Sequence, residues 1–353
     1  MGYTSKLLSR LTPYVAGEQP AGRVIKLNTN ENPYAPSPKV AEAIRAAAQD
    51  GELRRYPDPA CAALRSVLAS LHGCKAENIF CGNGSDEVLA FSFAAFLAED
   101  RAATPEIGYS FYPSYAKLFN TELIPTSVSS DFEVDTAALA RLDMPVILAN
   151  PNAPTTLALP RDSILSIADA KAKQGRLAII DEAYADFAPE CSVTDEAPRR
   201  CNLLVVRTFS KSYSLAGLRV GYAVGRPALI AALETVRDSF NSYTLDTIAQ
   251  AAATAAALDR DYFNDTVGRI NAIRERFRSA LSELGFIVPD SRTNFLFARH
   301  PSIAGAELFG KLRERGVIVR YFAKPRIADY VRITIGAGAE MDEVAAIIKE
   351  IVS

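Results

Sequence analysis

The sequence predicts an α/β fold in which a mostly parallel sheet lies between helices and a smaller α+β part follows. Three observations carry that expectation. From about Asn78, short apolar runs alternate with amphipathic stretches, the pattern of strands joined by crossover helices. Those runs are long enough in apolar residues to be strands covered on both faces. After about Asp246 the order changes to a long helical stretch, then strands and helices in α+β succession. The 353 residues exceed a typical single core, so two units are expected. A large domain covers 34–245, and a small one combines the N-terminal segment 1–33 with 246–353.

Along the chain, "NIFCG" reads as a strand and "SDEVLAFSFAAFLAED" as a helix opened by a Ser/Asp cap. The segments "PVILAN", "RLAIID", "NLLVVRT" and "RVGYAVG" read as buried strands. Between Asn150 and Arg176, "LPRDSILSIADAKAKQG" reads as a crossover helix that stops at Gly175. In the last third, "DRDYFNDTVGRINAIRERFRSALSELG" is a long helix leading into "FIVPDSRTNFLFAR". A helix "AGAELFGKLRERG", the strands "VIVRYF" and "YVRITIG", and a closing helix "EMDEVAAIIKEIVS" complete the pattern.

Composition narrows the function classes. A formal charge of −2 gives no electrostatic reason to expect nucleic acid or an anionic membrane as partner. No apolar run is long enough to span a bilayer, and the N-terminus lacks a signal-peptide apolar region. The Met1-Gly2 start matches a myristoylation signal only incidentally. Five cysteines without a C-x-x-C pair favour reduced thiols and a cytoplasmic location. The two histidines, His72 and His300, lie outside any motif and read as surface or loop residues. No metal site is expected, and acid–base chemistry must use other side chains.

Ligands of open α/β sheets bind beyond the carboxyl ends of the strands. Here "GNGSDE", "NPNAPTT", "DEAYADF" and "TFSKSYS" each follow a strand, and all four are polar and rich in small residues. Asp181 ends a buried strand, where a carboxylate is costly unless a cation or several donors meet it. A helix cap or a loop salt bridge would also account for it. The backbone N–H groups of Ser85 and Asp86 suit a phosphate at a helix start, although Ser-Asp is also a common capping pair. Thr208, Ser210 and Arg219 add two hydroxyls and a fork of donors for a phosphate dianion. Lys211, desolvated beside an arginine, would be a neutral nucleophile near pH 7. An amine able to form a Schiff base, a phosphate cradle and an aspartate for a pyridine nitrogen imply pyridoxal 5′-phosphate.

With these residues the chain resembles the fold-type I pyridoxal-phosphate aminotransferases, and within them the histidinol-phosphate aminotransferase family. The resemblance runs nearly end to end, through "LTPY", "LNTNENP", "YPD", "GNGSDE", "GYSFY", "NPNAPTT", "DEAYADF", "TFSKSYSLAGLRVGY", "TNFLF", "VIVR" and "VRITIG". It implies that Lys211 forms the Schiff base, that Asp181 pairs with the pyridinium nitrogen, and that Tyr184 donates to the ring hydroxyl. Tyr109 would stack on the ring, with a buried core tyrosine as the alternative. Ser85, Asp86, Thr208, Ser210 and Arg219 would hold the phosphate. Tyr56 would reach the cofactor phosphate of a partner subunit, making a homodimer with shared sites. Arg320 and Arg332 would bind the anionic end of histidinol phosphate or of glutamate and 2-oxoglutarate, with Tyr14 and Asn30 closing the pocket. On sequence alone, Arg320 is equally well a surface strand arginine.

The chain departs from the family pattern at "APTT", where Asn-Pro-Thr-Gly is usual. Ala153 stands in place of the asparagine that would contact the ring hydroxyl, and Thr156 in place of the glycine. Asn152 or a water is the expected substitute, unless Tyr184 carries the role alone. An aromatic amino acid aminotransferase or a decarboxylase of a phosphorylated amino acid would share the same cofactor residues.

Overall fold

The computed structural model describes residues 3–14, 16–20, 22–49 and 52–353, so the Met-Gly start lies outside the described residues. The chain opens with a short strand β1 (Ile25–Lys26) and two helices, α1 (Pro38–Gln49) and α2 (Ala62–Leu71). The large sheet then begins with β2 (Ile79–Asn83), α3 (Gly84–Phe96), β3 (Arg101–Pro105), α4 (Tyr112–Phe119) and β4 (Glu122–Thr126). It continues through α5 (Thr136–Arg141), β5 (Val146–Ala149), α6 (Arg161–Lys173), β6 (Ala178–Asp181), β7 (Leu203–Thr208) and β8 (Val220–Val224). The seven strands lie in the order β2-β8-β7-β6-β5-β3-β4. All are parallel except β8, which runs antiparallel to both β2 and β7.

The hand of β8 has a local cause. No crossover helix of useful length fits between Thr208 and Val220, so the chain turns back and pairs with the strand it has just left. Lys211 and Arg219, near the two ends of that connection, are thereby held beyond the carboxyl end of β7. Side chains alternate across the central strands. Val146, Leu148, Ile180 and Val205 enter one apolar layer, while Ile147, Ile179, Leu204 and Val206 enter the other. This double covering is why the strands are readable as apolar runs.

Three helices follow, α7 (Pro227–Phe240), α8 (Thr247–Leu258) and the 24-residue α9 (Arg260–Glu283). The α8 helix packs on α1 and α2, on the side of the large sheet. Beyond α9 come β9 (Phe295–Ala298), α10 (Gly305–Glu314), β10 (Val317–Ile318), β11 (Arg320–Tyr321), β12 (Val331–Thr334) and α11 (Gly338–Val352). An antiparallel sheet is ordered β11-β12-β9, and β10 pairs in parallel with β1. The expected strand "VIVRYF" is therefore two strands. Val317 and Ile318 serve the N-terminal segment, and after Val319 the chain changes partner to β12.

Other expectations are corrected here. The strands β3 and β4 are not announced by the sequence, because "RAATP" and "ELIPT" carry terminal charges and prolines instead of an apolar run. Proline is tolerated at the last residue of β3 and on the edge strand β4. The helix α3 has Asn83 as its N-cap with no side-chain cap, so Ser85 and Asp86 sit in the first turn and do not cap it. His72 is partly buried at the end of α2, with Nε2 2.9 Å from the Tyr222 hydroxyl. Burial, reinforced by Arg207 and Arg260, pushes its pKa down to about 3, so the ring stays neutral. No helix among the described residues is long and apolar enough to cross a membrane.

Candidate active site

The carboxyl ends of β2, β5, β6 and β7 open onto one cavity. Ser85 and Asp86 come from the first turn of α3, Ala149 and Ala153 from the β5 end, Asp181 and Tyr184 from the β6 end. Thr208, Ser210, Lys211 and Arg219 come from the β7–β8 connection. The opposite wall is the segment 28–31, with Arg320 and Arg332 from the small sheet and Tyr14 from the N-terminal arm. Four separate loops expected to converge do so.

Lys211 extends across this cavity, and its Nζ donates to the Thr29 carbonyl at 3.0 Å. Its main chain is fixed from the same side, where Asn32 Nδ2 donates to the Lys211 and Ser212 carbonyls at 3.1 Å each. Burial pushes the amine down to about 8, helped by Arg332 and Arg219 and opposed by Asp86 and Glu31. A neutral, nucleophilic amine is thus accessible close to physiological pH.

Asp181 is 4% exposed at the end of β6. Tyr112 donates to Oδ2 at 3.1 Å, and the Ala183 N–H to Oδ1 at 3.2 Å. These two long bonds do not offset desolvation. Burial pushes the carboxyl up to about 7 against both donors, with Asp86 and Glu182 adding to the rise. A carboxylate left this short of positive charge is suited to a cation delivered by a ligand.

The phosphate cradle is built on close backbone approach. No helical carbonyl satisfies the first-turn N–H groups of α3, and no side chain caps them. The β8 backbone passes so near that a Cβ on Gly221 would lie 2.3 Å from the Ser85 nitrogen. Gly84 adopts φ +79, and a Cβ there would meet Arg219 Nη2 at 2.5 Å. Arg219 Nη2 donates to Asp86 Oδ2 at 3.0 Å, and Nη1 reaches Ser210 Oγ at 3.4 Å. Tyr109 donates to the other Asp86 oxygen at 2.9 Å. The Asp86 side chain thus aims the arginine and the tyrosine, leaving its N–H for an anion.

Tyr184 is buried, and Asn30 Nδ2 donates to its hydroxyl at 2.8 Å. Asn30 itself is held at φ +57 by Thr334 of β12 and by Asn294 just before β9. Arg332 donates to the Asn28 carbonyl at 2.8 Å, while its buried Nε has no partner. Arg320 lies beside it on the neighbouring strand, so the structure favours a cavity arginine over a surface one. Tyr14 packs on Phe111 with centroids 4.7 Å apart.

Two of the expected residues are not brought to this cavity. Asn152 is a correction, because its side chain organises the β5–α6 turn. Its Nδ2 donates to the Ile107 carbonyl at 2.9 Å and to Thr155 Oγ1 at 2.8 Å, leaving Ala153 to face the cavity. Tyr56, expected at a partner subunit's site, does not line this cavity; it is 80% exposed and stacks on Tyr243 at 4.5 Å.

Sequence reasoning missed Tyr112, Thr29 and Glu31. Tyr112 follows the "GYSF" stretch and signals only as a core aromatic. Thr29 acts through its carbonyl, which no side-chain pattern reveals. Among the described residues, no cluster of His, Cys, Asp or Glu is arranged to hold a metal ion. The donor set fits pyridoxal 5′-phosphate on three independent grounds. There is a glycine-lined phosphate cradle, a buried carboxylate short of a cation, and an amine with a lowered pKa.

Comparison with known proteins agrees with this geometry. The family model for class I and II aminotransferases matches residues 22–351. The chain is 51% identical over 350 residues to histidinol-phosphate aminotransferase 2 of Rhizobium meliloti, covering 98% of each chain. It is 47% identical to histidinol-phosphate aminotransferase 2 of Burkholderia lata, covering 99% of each. Among solved structures, histidinol-phosphate aminotransferase of Sinorhizobium meliloti in complex with pyridoxal-5′-phosphate superposes with a TM-score of 0.88 at 26% identity. That match covers 100% of this chain and 98% of the other.

Proposed function

The chain belongs to the class I and II aminotransferases, and from that premise we propose that it exchanges an amino group between L-histidinol phosphate and 2-oxoglutarate. In the biosynthetic direction, imidazole acetol phosphate receives the amino group of glutamate, a step of histidine biosynthesis. The cofactor is pyridoxal 5′-phosphate. The observation that carries the chemistry is the Lys211 amine, lowered to about 8 in a cavity shared with Asp181 and three arginines. The relatives of 51% and 47% identity support the substrate.

When bound, pyridoxal 5′-phosphate supplies a sink for the electrons left at the substrate Cα after deprotonation. The protein's residues do the rest. Lys211 Nζ would anchor the cofactor, give way to the incoming amine, and move the proton from the substrate Cα to the cofactor carbon that takes over the amino group. Asp181 would hold a proton at the ring nitrogen, and Tyr184, oriented by Asn30, would donate at the ring hydroxyl. With Ala153 facing the cavity, Tyr184 would make that contact without a neighbouring asparagine. The first turn of α3, Thr208, Ser210 and Arg219 hold the phosphate. Arg332 and Arg320 receive the anionic end of either substrate, a phosphate ester in one and a carboxylate in the other. Tyr14 and the 28–31 segment limit water.

A homodimer with shared sites is part of the proposal. Exposed Tyr56, and the nearby exposed apolar residues Tyr243 and Phe240, suit a surface covered by a second copy. A division into a large unit, 34–245, and a small one, 1–33 with 246–353, belongs to the same reading, with α8 packing on the former. A cytoplasmic location is supported by five free cysteines.

The test is a panel of amino donors with 2-oxoglutarate as acceptor, compared by kcat/KM. Histidinol phosphate is expected to exceed phenylalanine, tyrosine and aspartate. A preference for phenylalanine would assign an aromatic aminotransferase, and release of carbon dioxide a decarboxylase; either result overturns the proposal.

A further inference from the structure

The segment 27–32, "LNTNEN", connects the two units at the cavity. Its Asn28 carbonyl binds Arg332, its Asn30 binds Tyr184, and its Asn32 binds the Lys211 main chain. Thr29 and Glu31, between these contacts, also line the cavity. The Thr29 carbonyl is the acceptor of the Lys211 amine at 3.0 Å. The Thr29 hydroxyl donates to Glu31 Oε2 at 2.7 Å and accepts from Lys26 Nζ at 2.6 Å. Lys26 also donates to the same Glu31 oxygen. On its other side the Thr29 methyl is pinned by the backbone of Gly17, where a Cβ would come within 2.3 Å of it. Thr29 therefore has little freedom to turn its carbonyl away.

Charge adds a second argument. The groups that bear on the Lys211 amine are Arg332 from β12, Arg219 from the β7–β8 connection, Asp86 from α3 and Glu31 from this segment. The Tyr184 ring lies 6.0 Å away. Asp86 is paired with Arg219 at 3.0 Å, and Glu31 with Lys26. Glu31, like Asp86, raises the amine against the lowering by Arg332. Burial works against the Glu31 carboxylate, but Lys26, Thr29 and Lys211 together hold it below the usual range, so it is charged wherever Lys211 titrates.

We propose that Glu31 is a positioning residue for Lys211, fixing the Thr29 carbonyl that receives the amine and setting, through its charge, the pH at which the amine releases its proton. This rests on Lys211 being the anchoring amine, but the test needs no cofactor. In cofactor-free protein, the rate of Lys211 acylation by an amine-selective reagent is followed against pH by mass spectrometry of its peptide. Exposed Lys349 serves as the internal standard. Glu31→Gln should move the Lys211 midpoint to lower pH by about half a unit or more, and Glu31→Asp should restore most of it. Lys26→Met removes a positive charge and should move the midpoint upward. A Glu31→Gln midpoint coincident with wild type would overturn the proposal. So would Glu31→Gln and Lys26→Met moving together, the mark of general loosening. If Glu31→Gln does not fold, the upward shift in Lys26→Met decides alone. Failure of the aminotransferase reading is separate: it would show as no coenzyme bound at Lys211 whatever the acylation profile.

Discussion

Replacing Asp181 with Asn should stabilise the cofactor-free protein at alkaline pH while removing its activity. The carboxyl rises from 3.8 to about 7 through burial. Between those values the folded state keeps a proton that the unfolded state has released, so stability falls as pH rises through the window. Three units correspond to about 4 kcal/mol at 1.36 kcal/mol per unit, as an upper bound. Comparing about pH 5 with about pH 8 samples roughly two of them, or about 3 kcal/mol. The assay is urea unfolding of cofactor-stripped wild type and Asp181→Asn, followed by circular dichroism at both pH values. Wild type should lose about 3 kcal/mol more than the variant over that interval, a double difference in which all other titrating groups cancel. The asparagine can still accept from the Ala183 N–H, and the Tyr112 hydroxyl can turn to accept from its amide. Equal pH dependence in the two proteins would refute the reasoning, because it would mean that Asp181 bears no desolvation strain for a cation to relieve.

Three further outcomes follow from the same geometry. Gly221→Ala places a methyl 2.3 Å from the Ser85 nitrogen and should weaken cofactor binding by about tenfold or more, read by fluorescence titration of the stripped protein. Arg207→Met strips the partner from Glu182, which it meets at 2.9 Å, and from Asp186, and should cost about 3–5 kcal/mol in denaturant unfolding. Arg332→Lys replaces a fork by a point charge and should raise KM for both substrates by about tenfold, with kcat changed less, in steady-state assays.

What the sequence made legible depended on whether a residue acts in a way its type announces. "PVILAN" and "NLLVVRT" are readable because both faces of β5 and β7 are covered, which demands continuous apolar residues. The β3 and β4 strands are invisible because Arg101, Pro105 and Pro125 break that demand at ends and edges. In the site, Lys211, Asp181 and Arg219 stand out because charge at a strand end is costly without a purpose. Asn152 misleads for a related reason: an amide beside a cavity looks like a ligand contact, and only the fold of the turn shows it spent on Ile107 and Thr155. His72 reads as a surface residue because nothing local predicts that Tyr222, 150 positions away, will cover it.

The central claim is that Lys211 carries the coenzyme. Protein loaded with pyridoxal 5′-phosphate, reduced with borohydride, digested and mapped by mass spectrometry should yield a phosphopyridoxyl group on the Lys211 peptide, and Lys211→Ala should yield none. A label distributed over other lysines, or no label and no yellow chromophore in wild-type protein, would contradict the account.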